Sequence, residues 1–329
     1  LLFKIYSGID AFDIEVDATD PEAFISAVKA ISPTFGAINL EDIKAPECFE
    51  IERRLKAELP IPVMHDDQHG TAIISGAGLV NALELAGKSI GDVRIVISGA
   101  GAAAIACARL YCALGAKHEH IVMTDSKGVI RASRTDLNEM KRDFATTDEG
   151  LTALQEALVC ADVFVGLSKG GMVTGEMVKT MADRPIIFAL ANPTPEISYE
   201  EAKAACPEVL MSTGRTDYPN QINNVLAFPY IFRGALDTHA TAINGAMELA
   251  ATRAIAALAK QPVPDYVCQA YGAKELAFGP EYFIPKPVDH RLIVEVSTAV
   301  ARAAIESGVA RHTITDWDAY AEHLTSLLE

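Results

Sequence analysis

The chain has 329 residues, half of them hydrophobic, so it can bury a sizeable core, and its length favours two domains. Its formal net charge is −16, from 44 acidic and 28 basic residues, which gives no electrostatic support for binding to nucleic acid. Its apolar runs are too short to cross a bilayer, and its first residues lack the pattern of a signal peptide. Six scattered cysteines without a CxxC pair favour free thiols in a reducing, cytoplasmic compartment.

Two of the apolar runs in the first 65 residues end on pairs of acids. Residues 37–40 and 61–65 are typical of buried strands, and each is followed directly by carboxylates. The two pairs are Glu41 with Asp42 and Asp66 with Asp67. Either pair alone fits turn or capping residues. Two strand ends can also converge in one crevice, however, and hard carboxylate oxygens there suit Mg²⁺ or Mn²⁺.

A glycine-rich turn then joins a strand to a helix. The β-branched run over residues 93–97 leads into two glycines and an alanine-rich segment, which predicts strand, tight turn and helix. In a dinucleotide-binding turn the first glycine permits the turn, and the second lets backbone approach the pyrophosphate. Free N–H groups at the helix N-terminus then face the phosphates. The residues assigned to the cofactor here are Gly99, Ala100, Gly101, Ala102 and Ala103.

An acidic residue follows at the position where a dinucleotide-binding sheet has a residue that hydrogen-bonds the ribose of the cofactor. Asp125 ends the next apolar run, and its carboxylate favours the unphosphorylated ribose of NAD. Ser126 and Lys127, with Lys141 or Arg142 nearby, can instead receive the 2′-phosphate of NADP. Both cofactors therefore stay open.

Three later apolar runs, over residues 162–166, 185–191 and 209–212, alternate with helical patterns. This alternation predicts a parallel, doubly wound sheet of the Rossmann type. Ligands bind beyond the carboxyl ends of such strands, where Gly166 and Asn192 fall. Helical patterns dominate the C-terminal part of the chain, over residues 240–259, 291–307 and 317–328.

Four motifs together resemble the malic enzymes, in particular the bacterial small-subunit type. They are NLEDI at 39–43, HDDQHGTA at 65–72, FALANPT at 188–194 and NQINNV at 220–225. The resemblance spans nearly the whole chain. It implies an NAD(P)-binding domain of the Rossmann type over residues 66–223. That domain would be inserted into a second α/β domain, for substrate and metal, made of residues 1–65 and 224–329 with its C-terminal helices.

The resemblance also implies roles for acids and amides. The metal ligands would be Glu41, Asp42 and Asp67. Asp66 and Asp67 are both catalytic candidates, and Asp66 would hold the metal loop by hydrogen bonds. The side chains that hold malate carboxylates would be Asn192, Asn223 and Asn224, although the adjacent pair also fits a helix cap. Asn192 also lies at the edge expected for the cofactor.

In the family a lysine acts as general base and a tyrosine as general acid, both upstream of the segment that resembles residues 1–4. Lys4 lies close by but does not match the family lysine. We therefore expect the catalytic pair to belong to an N-terminal segment outside the printed sequence. The run at residues 125–128, Asp-Ser-Lys-Gly, resembles members that use NADP, which tilts the choice towards that cofactor.

The function expected from these residues is oxidative decarboxylation of (S)-malate to pyruvate and CO₂ with NAD(P)⁺ and Mn²⁺ or Mg²⁺. We expect a homodimer with a small-molecule substrate and no nucleic-acid or membrane partner. An amino-acid dehydrogenase is one alternative, and metal dependence would separate the two. A non-catalytic dinucleotide-binding or regulatory chain is another, and activity on restoring the upstream segment would contradict it.

Overall fold

The computed structural model describes residues 1–328, and the chain divides into two compact units. Unit 1 consists of Leu1–Ile74, Asn224–Glu275 and Pro285–Glu329, and unit 2 consists of Ser75–Asn223 and Leu276–Ile284. The first boundary between the units follows Ile74, inside the continuous helix Asp66–Ala86. The motifs instead predict a domain boundary after residue 65, just before that helix. The helix contains glycines but no proline, and it continues through them without interruption, so its sequence does not mark this division.

The N-terminal part of unit 1 is a pair of parallel strands covered by helices. Its elements are α1 (Leu2–Ser7), α2 (Pro21–Ile31), β1 (Ile38–Leu40), α3 (Glu47–Glu58), β2 (Val63–His65) and the start of α4 (Asp66–Ala86). Leu40 of β1 lies opposite His65 of β2. Because the two strands are parallel, their carboxyl ends lie at the same edge of the pair. The residues that follow the two strands therefore lie next to each other.

Unit 2 contains a six-stranded sheet within the described residues. Its strands are β3 (Ile95–Ser98), β4 (Ile121–Asp125), β5 (Gly128–Val129), β6 (Val163–Gly166), β7 (Ile186–Ala189) and β8 (Leu210–Thr213). The order is β5-β4-β3-β6-β7-β8, and all neighbours are parallel except β4 and β5. This sheet confirms the predicted α/β class with a Rossmann-type parallel sheet. The antiparallel β5 was not predicted, because two residues are too few to show a period.

Helices precede the first strand of unit 2 and lie between its later strands. They are the later part of α4, α5 (Ala102–Leu114), α6 (Glu139–Asp143), α7 (Leu154–Leu158), α8 (Gly175–Lys179) and α9 (Tyr199–Ala205). The short stretch 276–284 belongs to this unit because Asn220 bonds it at two points. Its Nδ2 donates to the carbonyl oxygen of Pro280 at 2.8 Å, and its Oδ1 accepts the N–H of Phe283 at 2.7 Å.

The C-terminal part of unit 1 is helical, as the sequence predicts. It contains α10 (Phe228–Asp237), α11 (Gly245–Leu258), α12 (Asp265–Ala270), α13 (Arg291–Glu306) and α14 (Trp317–Ser326). The predicted start of α11 at residue 240 is too early, because Asn244 caps the helix by accepting the N–H of Met247 at 3.1 Å. Across residues 1–328, none of the helices combines the length and the apolarity that a membrane span requires.

Candidate functional site

The acids that follow β1 and β2 lie together at one edge of unit 1. Glu41, Asp42 and Asp67 each offer a carboxylate oxygen, and these oxygens all lie within 4.8 Å of one another. Asp67 also accepts the backbone N–H of Asp42 at 2.9 Å, which joins the two strand ends. Asn39 donates to Glu41 at 3.0 Å. Burial raises the pKa of Glu41, and the charge of Asp67 adds to the rise.

This set of donors fits a hard divalent cation. All the donors are carboxylate oxygens, which Mg²⁺ and Mn²⁺ prefer to nitrogen or sulfur ligands. Three like charges that converge in this way repel one another, and a divalent cation between them would offset the repulsion. Glu41 and Asp42 are exposed and Asp67 is partly exposed, so water and a small substrate can reach the cluster.

Asp66 lies next to this cluster in the chain but is buried, with 4% of its surface exposed. Asn224 donates to one of its carboxylate oxygens at 3.2 Å, and Thr71 donates to Asn224 at 3.1 Å. The amide of Asn224, expected to bind malate, is therefore engaged with the start of α4. Burial raises the pKa of Asp66 to about 7, and the charge of Glu41 acts in the same direction. Gly70 leaves room for Asp66, because a Cβ at residue 70 would lie 2.1 Å from Oδ1 of Asp66.

Sequence reasoning missed a partly buried ionic group that contacts the segment carrying these acids. His69 lies between two carboxylates, with Nε2 at 2.9 Å from Glu52 on α3 and Nδ1 at 2.9 Å from Glu248 on α11. Burial opposes charge on the imidazole, yet Glu248 and Glu52 raise the pKa of His69 to about 9. Burial likewise acts to raise the pKa of Glu52, but His69 and Lys56 lower it to about 2. The one signal in the sequence is the position of Glu52 within the buried stripe of α3.

The dinucleotide turn of unit 2 has the geometry that its glycines suggest. Gly99 has a φ of 127°, and a Cβ there would lie 2.6 Å from the carbonyl oxygen of Leu167, so only glycine fits. Gly101 is the N-cap of α5, and nothing lies within 4 Å of the Cβ position there. Ala102 and Ala103 form the first turn of α5, so the backbone N–H groups of this turn remain open to a phosphate.

Asp125, at the end of β4, is surrounded by donors of this chain. Arg134 donates to both of its oxygens at 2.9 Å, Lys141 donates to Oδ2 at 2.8 Å, and the backbone N–H of Lys127 donates to Oδ1 at 2.9 Å. These hydrogen bonds and charges lower the pKa of Asp125 against the effect of burial. Arg134 was missed in the sequence. Arg142 instead donates to the carbonyl oxygen of Leu137.

The remaining predicted residues occupy separate places. Asn192 is exposed after β7 and borders Gly214, since its side-chain atoms lie 3.4 Å from the Cβ position at residue 214. Asn223 is half-buried at the end of the long segment of unit 2, and Ser126 is exposed after β4. Lys4 pairs with Asp10 at 2.7 Å on the surface of unit 1.

Comparison with known families decides what kind of chain this is. Residues 68–267 match the family model described as malic enzyme, NAD binding domain, and residues 4–56 match malic enzyme, N-terminal domain. The chain belongs to the malic enzyme family. The resemblance inferred from the four motifs is thereby confirmed, and the match to an NAD binding domain supports a nicotinamide dinucleotide as cofactor.

Individual malic enzymes extend this match. The chain is 56% identical over 329 residues to an NADP-dependent malic enzyme of Salmonella typhimurium. This alignment covers all of this chain and 43% of that protein. It is 52% identical over 325 residues to an NAD-dependent malic enzyme of Rhizobium meliloti, covering 98% of this chain and 42% of that protein. The chain thus spans less than half the length of these relatives. Because the two names carry different cofactors at similar identity, identity alone does not decide between NAD and NADP.

A solved malic enzyme shares the fold of this chain. The crystal structure of malic enzyme from Pyrococcus horikoshii superposes with a TM-score of 0.89 at 39% identity, covering 99% of this chain and 74% of that one. The likeness extends over both units.

Proposed function

We propose that this malic enzyme chain carries the metal and cofactor sites for oxidative decarboxylation of (S)-malate to pyruvate and CO₂ with NAD(P)⁺. The observation that carries the proposal is the cluster of Glu41, Asp42 and Asp67 in a chain that also has the glycine turn of a dinucleotide-binding sheet. Neither a simple dinucleotide-binding module nor an amino-acid dehydrogenase needs three converging carboxylates.

In this proposal the chain's own side chains bind and orient. Glu41, Asp42 and Asp67 hold Mn²⁺ or Mg²⁺, and Asp66 keeps the start of α4 in place through Asn224. When bound, the ion would supply a Lewis acid for the C1 carboxylate and C2 oxygen of malate, and NAD(P)⁺ would accept the hydride from C2. The second carboxylate of malate is assigned to the neutral amides of Asn192 and Asn223, which orient it without a charge that competes with the metal. The base and acid are assigned to the family's upstream lysine and tyrosine.

NADP is the favoured cofactor in this proposal. A carboxylate has about four acceptor positions, and Asp125 already receives four donor contacts from Arg134, Lys141 and the backbone of Lys127. A ribose diol would therefore find no free acceptor there. Lys127 and Lys141 each use one ammonium hydrogen bond, to Asp136 and Asp125, so both keep donors for a 2′-phosphate, as does the hydroxyl of Ser126.

A homodimer in the cytoplasm completes the proposal. All six cysteines are free in the described residues, which supports a reducing compartment. The side chain of Phe12 is apolar, large and 75% exposed, which supports an interface between copies.

The test is an assay of the full-length protein with malate, Mn²⁺ and either NAD⁺ or NADP⁺, alongside Asp67→Ala and the exposed control Asp13→Ala. We expect malate-dependent reduction of NADP⁺ that chelation abolishes and Mn²⁺ restores. Asp67→Ala should lose both the activity and the binding of Mn²⁺, whereas Asp13→Ala should keep both. Activity of Asp67→Ala at ordinary metal concentration would remove the metal assignment, and reduction without added malate would remove the substrate assignment.

A further inference from the structure

We propose that Glu52 is a positioning residue that holds the metal-binding segment in place, with His69 and Glu248 as its second anchor. The inference rests on the metal site proposed above. It concerns a carboxylate that does not belong to the cluster of Glu41, Asp42 and Asp67 but is bonded to the chain on both sides of Asp67.

The first indication is where Glu52 lies on its helix. The buried residues of α3 are Cys48, Ile51, Glu52 and Leu55, the spacing of a helix face that packs on a core. An apolar side chain is expected at each of these positions, yet Glu52 is only 7% exposed. A buried carboxylate is costly unless its oxygens are bonded, so its contacts explain why this acid can occupy the site.

Those contacts converge on five consecutive residues. Glu52 accepts the backbone N–H of His65 at 3.1 Å and the side-chain N–H of Gln68 at 3.3 Å, and it lies 2.9 Å from Nε2 of His69. The first contact precedes Asp66 and Asp67, and the other two follow them. One carboxylate on α3 therefore fixes the chain immediately before and after the acids at the start of α4.

His69 extends this support to a second helix. Its other ring nitrogen, Nδ1, lies 2.9 Å from Glu248 on α11, so the imidazole links α3 to α11. Lys56, one turn after Glu52 on the same helix, adds a pair at 2.9 Å. Removing one member of a buried ionic group leaves the others without compensation, so the segment would relax towards new partners.

The consequence for metal binding follows from geometry. A metal site requires its ligands to be held within about 0.5 Å of the productive arrangement, and groups that orient ligands typically change metal affinity about 10- to 100-fold when removed. Glu52→Gln keeps the shape of the side chain but loses the carboxylate that meets four donors, from His65, Gln68, His69 and Lys56. We expect it to weaken Mn²⁺ binding about 10- to 100-fold.

The experiment titrates Mn²⁺ into the full-length protein and follows free and bound ion by electron paramagnetic resonance. Glu52→Gln is compared with Glu248→Gln, which removes only the anchor on α11. The matched control is Glu50→Gln, on the same helix, where the exposed carboxylate pairs with Arg53. We expect Glu52→Gln and Glu248→Gln to weaken Mn²⁺ binding and to change the spectrum of the bound ion. Glu50→Gln should match wild type in both respects.

The spectrum of bound Mn²⁺ distinguishes a positioning role from a general loss of stability. A loss of stability alone would lower the amount of folded protein but leave the coordination, and therefore the spectrum, of the ions still bound unchanged. If Glu52→Gln fails to fold, Glu248→Gln carries the test by itself. Wild-type affinity and an unchanged spectrum in Glu248→Gln and in any folded Glu52→Gln would overturn the inference and leave the metal site standing. A wild-type protein that binds no Mn²⁺ would instead overturn the proposed metal site.

Discussion

The carboxyl group of Glu196 occupies the space that a side chain at Gly166 would need, since a Cβ at residue 166 would lie 2.2 Å from Cδ of Glu196. Glu196 is fully buried and accepts the N–H groups of Ser168 at 3.2 Å and Ala191 at 3.1 Å. It therefore ties together the loops that follow β6 and β7. Those strand ends belong to the edge where a Rossmann-type sheet binds its dinucleotide. Gly166 thus has a packing reason to be glycine beside its proposed contact with the cofactor.

Gly166→Ala should consequently destabilise unit 2. The added methyl group must displace the carboxyl group of Glu196, and overpacking of this kind costs about 1–3 kcal/mol of unfolding free energy. Urea unfolding measures the loss. The control is Gly245→Ala at the first position of α11, where nothing lies within 4 Å of the Cβ position. Equal unfolding free energies for Gly166→Ala and wild type would show that Glu196 moves aside without cost.

Lys141→Met should weaken NADP⁺ binding and leave NAD⁺ binding nearly unchanged. Only the 2′-phosphate gains a charge-assisted hydrogen bond from the free donors of Lys141, and such a bond contributes about 1.5–3 kcal/mol, or about tenfold and more in Kd. Titration calorimetry with each cofactor measures the difference. Lys117→Met, at the opposite, amino-terminal end of β4, is the matched control. A parallel loss of affinity for both cofactors would place Lys141 elsewhere than at the 2′-phosphate.

Asp20→Ala should cost about 1 kcal/mol of unfolding free energy, the typical loss when a helix N-cap is removed. Asp20 accepts the N–H of Ala23 at 2.9 Å, and Pro21 occupies the first position of α2. Urea unfolding of the variant beside Asp17→Ala, an exposed acid just outside the helix, measures the effect. If both variants unfold like wild type, water replaces the cap without loss.

The features that the sequence predicted are those with local causes. The strand before Gly99 and the cap at Asp20 depend on neighbouring residues in the chain, so periodicity and turn chemistry were enough to find them. Arg134 and Glu52 depend on distance instead. Arg134 reaches Asp125 across a loop, and Glu52 meets His69 from a different helix, so neither contact leaves a pattern of spacing in one segment.

The proposed metal cluster falls between these cases. The two acidic pairs were visible as strand ends, but their convergence required the parallel pairing of β1 and β2, with Leu40 opposite His65. Asn224 shows what the motif leaves open. The motif predicts it as a ligand of malate, and the structure adds hydrogen bonds from its side chain to Asp66 and from Thr71 to its side chain. These contacts come from tertiary packing, which residue type does not encode.

Lys286 is a buried lysine near the ring of Tyr271. It is 7% exposed, and no ion pair to it occurs within residues 1–328. Its Nζ lies 4.8 Å from the centroid of the Tyr271 ring, a cation–π contact that offsets part of the cost of burial. Burial lowers the pKa of Lys286 below its ordinary value of 10.5.

The sign of the resulting pH dependence follows from proton binding. At pH values below the folded pKa both states carry the proton, and the native state bears the full cost of the buried ammonium. As the pH rises from the folded pKa towards 10.5, the native state has already lost its proton while the unfolded state still binds one, so stability rises. Lys286→Met removes the charge and keeps a side chain of similar length. The variant should therefore be more stable than wild type at neutral pH, and its advantage should shrink as the pH approaches 10.5.

Urea unfolding of wild type and Lys286→Met at neutral and at alkaline pH measures this difference, because groups common to both proteins cancel in the comparison. Lys274→Met, at an exposed position of the same unit, should show no such trend. An advantage of Lys286→Met that stays constant with pH would mean that the fold does not lower the pKa of Lys286, because both states would then bind the proton equally. A variant less stable than wild type at neutral pH would mean that the contact with Tyr271 outweighs the cost of burial.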